Sequence, residues 1–109
     1  MTDPNLRVQK LIHRLQSPDY LVRLHAGCLL SQMGPAAKEA VPLLLESLRS
    51  GDTADRKLAA WALGYLGRSA AEAAPALLAA VRDSDESVRM LATSALEKIA
   101  AASPTAAAA

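Results

Sequence analysis

The sequence predicts an all-α fold, a solenoid of three stacked antiparallel helical hairpins. Three observations carry this reading. The first is composition: among 109 residues there are 24 alanines and 18 leucines, but no Phe, five Val and two Ile. Alanine and leucine are the strongest helix formers, whereas a sheet core draws on β-branched and aromatic side chains. The second is a repeat, since the chain matches itself without a gap when shifted by 33 residues. The third is the spacing of apolar residues inside each repeat, which is that of one helix face.

The units are 8–40, 41–73 and 74–106. Units one and two share 12 identities, among them Val8/Val41, Leu11/Leu44, Asp19/Asp52, Arg23/Arg56, Ala26/Ala59, Leu30/Leu63 and Gly34/Gly67. Units two and three share Pro42/Pro75, Asp52/Asp85, Arg56/Arg89 and Leu63/Leu96, among others. A biased composition gives roughly 3 identities per comparison by chance, so the repeat is real. One repeat domain is expected over 1–100, followed by a low-complexity tail, 101–109.

Each unit reads as two helices, A then B. Helix A carries Leu11, Ile12 and Leu15, then Leu44, Leu45 and Leu48, then Leu77, Leu78 and Val81. Pro42 and Pro75 suit its first turn, where a missing N–H costs little. Asp3-Pro4 does that job in unit one and lengthens the first helix. Helix B begins after a short polar turn ending in Asp19, Asp52 or Asp85. Its inward residues are Val22, Ala26, Leu29, Leu30 and Met33, then Ala59, Ala62, Leu63 and Leu66, then Val88, Ala92, Ala95, Leu96 and Ile99. Gly34 and Gly67 stand where a left-handed C-cap is wanted. Unit three has Ala100 there, so its last helix runs on or frays. A single hairpin cannot bury its apolar face, and three make a continuous core. The N-terminal end is polar, with Arg7, Gln9, Lys10, His13 and Arg14. The C-terminal end has no dedicated cap, so a partner or a second copy is expected to cover it.

With repeat length, helix pair and motif in hand, the chain resembles the HEAT-repeat superfamily, in particular the short bacterial HEAT-like repeats also found in phycobilisome lyases. The motif is Asp, then V-R, then A, then A-L-G, then a hydrophobic residue and Gly. Here it is Asp19, Val22-Arg23, Ala26, Leu29-Leu30 and Gly34. It recurs as Asp52, Arg56, Ala59, Ala62-Leu63-Gly64 and Gly67, then as Asp85, Val88-Arg89, Ala92 and Ala95-Leu96. Asp55 departs from it by replacing the Val. The resemblance covers residues 8–100 and implies a right-handed stack with the B helices on the concave surface. It also implies an inter-repeat ladder built from Asp19, Arg23, Asp52, Arg56, Asp85 and Arg89. Ankyrin repeats have the same period, but no T-P-L-H-like turn is present. The tetratricopeptide-like run Trp61-Ala62-Leu63-Gly64-Tyr65 occurs once and at the wrong spacing.

The Asp and Arg residues repeat in phase, and a catalytic site needs a residue only once, so they read as architecture. Each Asp caps helix B, and each Arg one turn later can pair with that Asp or with the next unit. The informative columns are those that differ between units: 24/57/90, 28/61/94, 31/64/97 and 32/65/98. They hold Leu24, Lys57, Met90; Cys28, Trp61, Ser94; Ser31, Gly64, Glu97; and Gln32, Tyr65, Lys98. Offsets of three and four place them on one face of helix B. Trp61 and Tyr65, one turn apart, make a binding hot-spot pattern, with Leu24 and Met90 flanking them. The plain alternative is that both rings fold back to fill gaps between helices.

Other function classes find little support. A net charge of +1 draws the chain to neither nucleic acid nor an anionic membrane. No stretch is long and apolar enough to span a bilayer, and no signal-peptide pattern is present. The single cysteine, Cys28, suits a reducing compartment, and a cytoplasmic location is expected. His25 and Cys28, with His13, lack the further ligands of a metal site; His25 aligns with Leu58 and Leu91 and is expected to top the core. Glu39 and Glu72 recur before helix A and read as solvated or capping. No catalytic set, phosphate loop or cofactor motif appears. The expectation is a small non-enzymatic adaptor, without cofactor, that binds a partner peptide or helix. The residues expected to bind it are Trp61, Tyr65, Leu24, Cys28, Lys57, Met90, Ser94 and Lys98. The rivals are a structural subunit docked, or self-associating, through its C-terminal face, and an accessory factor like the phycobilisome lyases.

Overall fold

The structure is a computed structural model that describes residues 4–102. Among these residues there is no strand, and the chain is an α-solenoid. The helices are α1 (Pro4–Arg14), α2 (Tyr20–Met33), α3 (Val41–Ser50), α4 (Thr53–Leu66), α5 (Ala74–Ala80) and α6 (Glu86–Ala102). Helix α1 packs against α2, α3 against α4 and α5 against α6. Asp3, expected in the first turn of helix A, and the tail from Ser103 onward lie outside the described residues. Ala101 and Ala102, counted with that tail, are the end of α6.

The helices begin where their chemistry asks. Asp19, Asp52 and Asp85 have side chains that accept from the backbone N–H of Leu21, Asp55 and Val88 at 2.9–3.0 Å, satisfying free first-turn donors. Pro42 and Pro75 sit in the first turns of α3 and α5. The core runs unbroken through all three units, with Val8, Leu30, Val41, Leu44, Leu63, Leu77 and Val88 fully buried. Ala26, Ala59 and Ala92 are fully buried too, and their size lets α2, α4 and α6 lie close. Helix α4 packs broadly on both α2 and α6, while α5 meets α3 only lightly. The B helices are thus the tightly spaced inner layer, which makes their outer surface the concave one.

Several expectations change. Gly34 and Gly67 have positive φ, but with ψ near −130° (φ 60°, ψ −131° and φ 57°, ψ −127°). These are the angles of the first central residue of a type II′ turn, not of a left-handed cap. The turn feeds 3-10 segments at Gly34–Ala40 and Gly67–Ala73 in place of open loops. These segments wedge against both helix layers and bury Ala37, Ala40, Ala70 and Ala73. Ala100 cannot take that turn cheaply, and α6 runs on through it. Leu78, on the apolar face of helix A, is 64% exposed, because no described residue packs over its column. His25 is exposed for the mirror-image reason. Its equivalent Leu58 packs on Gly27 of the preceding unit, whereas the described residues leave His25 uncovered.

Candidate partner-binding groove

The groove is framed by an ionic ladder along the starts of the B helices. Arg23 Nε donates to Asp55 Oδ1 at 3.0 Å, and Arg56 Nε donates to Asp83 Oδ2 at 2.9 Å. Each arginine also donates to a carbonyl of its own turn: Arg23 to Ser17, Arg56 to Gly51 and Arg89 to Asp83. The arginines therefore reach the next unit, but their acceptors are Asp55 and Asp83, not the in-phase Asp52 and Asp85. Those two carboxylates are committed to capping. Asp55 is the residue that breaks the motif's Val column, and Asp83 replaces the Ser17/Ser50 column. Among the described residues, Arg89 meets no carboxylate. The guanidinium of Arg56 and the backbone N–H of Asp85 hold the Asp83 carboxyl below its ordinary range, and Arg56 is raised in return.

Below the ladder, α2, α4 and α6 enclose a cleft of about 340 Å³ lined by Tyr20, Leu24, Cys28, Lys57, Leu58, Trp61 and Leu91. The volume lies at the small end of the range for ligand pockets. Four of these residues belong to the stripe read from the sequence. Tyr20, Leu58 and Leu91 were missed. Tyr20 continues the same stripe one turn before Leu24, so its signal was there in the period. Leu58 and Leu91 reach the cleft from the side of the helix that faces the preceding unit.

One turn further along α4, the Trp61 and Tyr65 rings meet at 4.9 Å between centroids, tilted by 45°. Trp61 is half-buried and packs on the core, so it partly fills the inter-helix gap, while Tyr65 is 56% exposed. The ammonium of Lys98 stands 5.1 Å from the centre of the Tyr65 ring and donates to Ser94 Oγ. This joins α6 to the aromatic pair through a cation–π contact. Among the described residues, neither Lys57 nor Lys98 has a carboxylate partner.

Not every stripe residue faces the groove. Ser31 and Gly64 are buried between units. A Cβ on Gly64 would stand 2.9 Å from the Cα of Ala95, so this column serves helix approach. Met90 does not flank Trp61. It is 65% exposed and lines a separate open hollow of about 410 Å³ with Val81, Arg89, Thr93, Ser94 and Glu97 at the C-terminal end. Glu39 accepts a hydrogen bond from the Gln9 side-chain amide, which ties α1 to the 3-10 segment that closes unit one.

Compared with known families, residues 41–109 match the family described as HEAT repeats. The chain belongs to the HEAT-repeat family. The match begins at the first residue of unit two, and unit one repeats its pattern in phase. No curated protein matches the chain. In this HEAT-repeat chain no described helix is long and apolar enough to cross a membrane. No cluster of three metal-ligating side chains forms among the described residues.

Proposed function

We propose that this HEAT-repeat chain is a non-enzymatic adaptor that needs no cofactor and binds a peptide or helical segment of a protein partner on its concave face. HEAT repeats commonly mediate protein–protein interaction. The observation that carries the proposal is the apolar cleft leading straight into the Trp61–Tyr65 pair. Its residues differ from unit to unit, whereas core and cap residues repeat. An exposed Tyr beside a half-buried Trp pairs two of the residue types most enriched at binding hot spots. The groove suits one extended or helical segment, not a globular face.

The test is a paired pull-down from native lysate, read by mass spectrometry. One bait is wild type, and the others carry Tyr65→Ala alone or with Trp61→Ala, once circular dichroism shows that they fold. A partner that depends on both rings supports the groove. A partner retained by every bait moves the site elsewhere.

A second reading places docking at the C-terminal face. It rests on Leu78 and Met90, 64% and 65% exposed, and on Arg89, whose equivalents in the first two units each hold a carboxylate of the next. A partner or second copy that survives the ring substitutions but is lost in Leu78→Gln/Met90→Gln would select this reading.

A further inference from the structure

From the groove's charge and shape we infer the chemistry of its occupant: an acidic amphipathic helix of a protein partner, with one large apolar side chain seated in the cleft. The inference rests on the concave-face reading above and adds what that reading leaves open. The groove has an apolar centre and two cationic ends. At one end Lys57 lines the cleft together with Tyr20, Leu24 and Trp61. At the other, Lys98 lies over Tyr65.

Of the ladder arginines, two are already answered, and Arg89 lines the separate hollow at the C-terminal end. Arg23 and Arg56 spend theirs on Asp55 and Asp83. Lys57 and Lys98 are the groove cations left without a carboxylate among the described residues. They stand two helical turns apart along the B helices and one helix apart sideways, which puts them roughly 15 Å from each other. A helix laid along the groove spans that distance in about three turns. Carboxylates near its two ends would meet Lys57 and Lys98, and an apolar residue between them would enter the cleft. Lysine heads on flexible stems, each resting on an aromatic or aliphatic wall, can follow the carboxylates. An extended nucleic-acid strand fits less well. Two cations give only a weak phosphate track, and the half-buried Trp61 ring already packs on Tyr65 and the core.

The experiment follows the backbone and Trp61 indole N–H resonances of the whole chain during titration with synthetic helical peptides. One peptide is alanine- and glutamate-rich with a single central leucine. A second replaces that leucine with alanine, and a third replaces every glutamate with lysine. An oligothymidylate is the fourth ligand. The expected result is that the first peptide moves Trp61, Cys28 and Tyr65 resonances while the second and third bind at least about tenfold more weakly. Lys57→Glu/Lys98→Glu should reverse the preference between the acidic and basic peptides. Equal binding of the acidic and basic peptides at the same residues would overturn the acidic chemistry and leave the concave-face reading intact. Shifts confined to other faces, or none with any peptide, would overturn both. Oligothymidylate binding at these residues in place of the peptides would identify the groove as a nucleic-acid site.

Discussion

Arg56 in α4 holds both carboxylate oxygens of Asp83 in the following unit, with Nε 2.9 Å from Oδ2 and Nη2 3.1 Å from Oδ1. The same Asp83 accepts from the backbone N–H of Asp85, so one side chain fixes both the junction between units and the turn that starts α6.

This geometry predicts an acid-sensitive junction. Asp83 is more acidic in the folded chain than its ordinary value of 3.8 because Arg56 and the Asp85 N–H both favour the charged form. A carboxyl of that kind contributes stability in full above its unfolded value. The contribution fades as pH falls through the lower folded value. Asp83→Asn should therefore lower the urea midpoint near neutral pH, and the gap to wild type should narrow progressively as pH falls below the ordinary value of 3.8. A gap that persists unchanged in acid would show that the ionised pair is not what the substitution removes.

Two buried glycines should respond differently to alanine. At Gly64 a Cβ would meet the backbone of Ala95 at 2.9 Å, and only separation of α4 from α6 can relieve it. At Gly27 the nearest atom is Cδ1 of Leu58 at 2.8 Å, the far end of a side chain that can rotate. Either change gains about 1 kcal/mol of helix propensity. Gly64→Ala should still destabilise by about 1–3 kcal/mol as overpacking, while Gly27→Ala should stay within about 1 kcal/mol of wild type. Denaturant unfolding of both variants checks the contrast.

The three hairpins, their caps and the core were legible because those features repeat in phase: the Asp columns, the apolar spacing and the small residues Ala26, Ala59 and Ala92. What repeats out of phase was harder to read. The ladder acceptors Asp55 and Asp83 occur in different columns, and only the spacing between units decides that arginines reach them. Ser31 and Gly64 sit beside the groove columns on the helix circumference, and whether that flank meets solvent or the next unit depends on stacking direction. The 3-10 segments were hidden by sequences such as Gly34-Pro35-Ala36-Ala37, whose alanines suit either helix type. Tyr20 differs from these cases: extending the stripe by one turn finds it.

Gly34 isolates a purely conformational cost. Its backbone has φ 60° and ψ −131°, yet an added Cβ would find no atom within 4 Å. Any loss in Gly34→Ala then measures the backbone alone, about 1–3 kcal/mol. Because the glycine links α2 to the first 3-10 segment, amide exchange should rise first across residues 34–40. A variant as stable as wild type would mean that the turn can relax to negative φ without disturbing that segment.

Leu77 and Leu78 are neighbours in α5 with opposite surroundings, the first fully buried and the second 64% exposed. Leu77 packs into the core shared with α6, so Leu77→Ala should cost about 2–5 kcal/mol through lost burial and the cavity left behind. Leu78 has only the open end face beside it, and Leu78→Ala should fall within about 0.5 kcal/mol in the isolated chain. Unfolding should be repeated at high protein concentration. If the C-terminal face meets a second copy there, wild type gains stability with concentration. The Leu78 variant loses that gain while the Leu77 variant keeps it from a lower baseline. Concentration-independent unfolding of wild type would leave the exposed leucine without a copy of this chain to cover it.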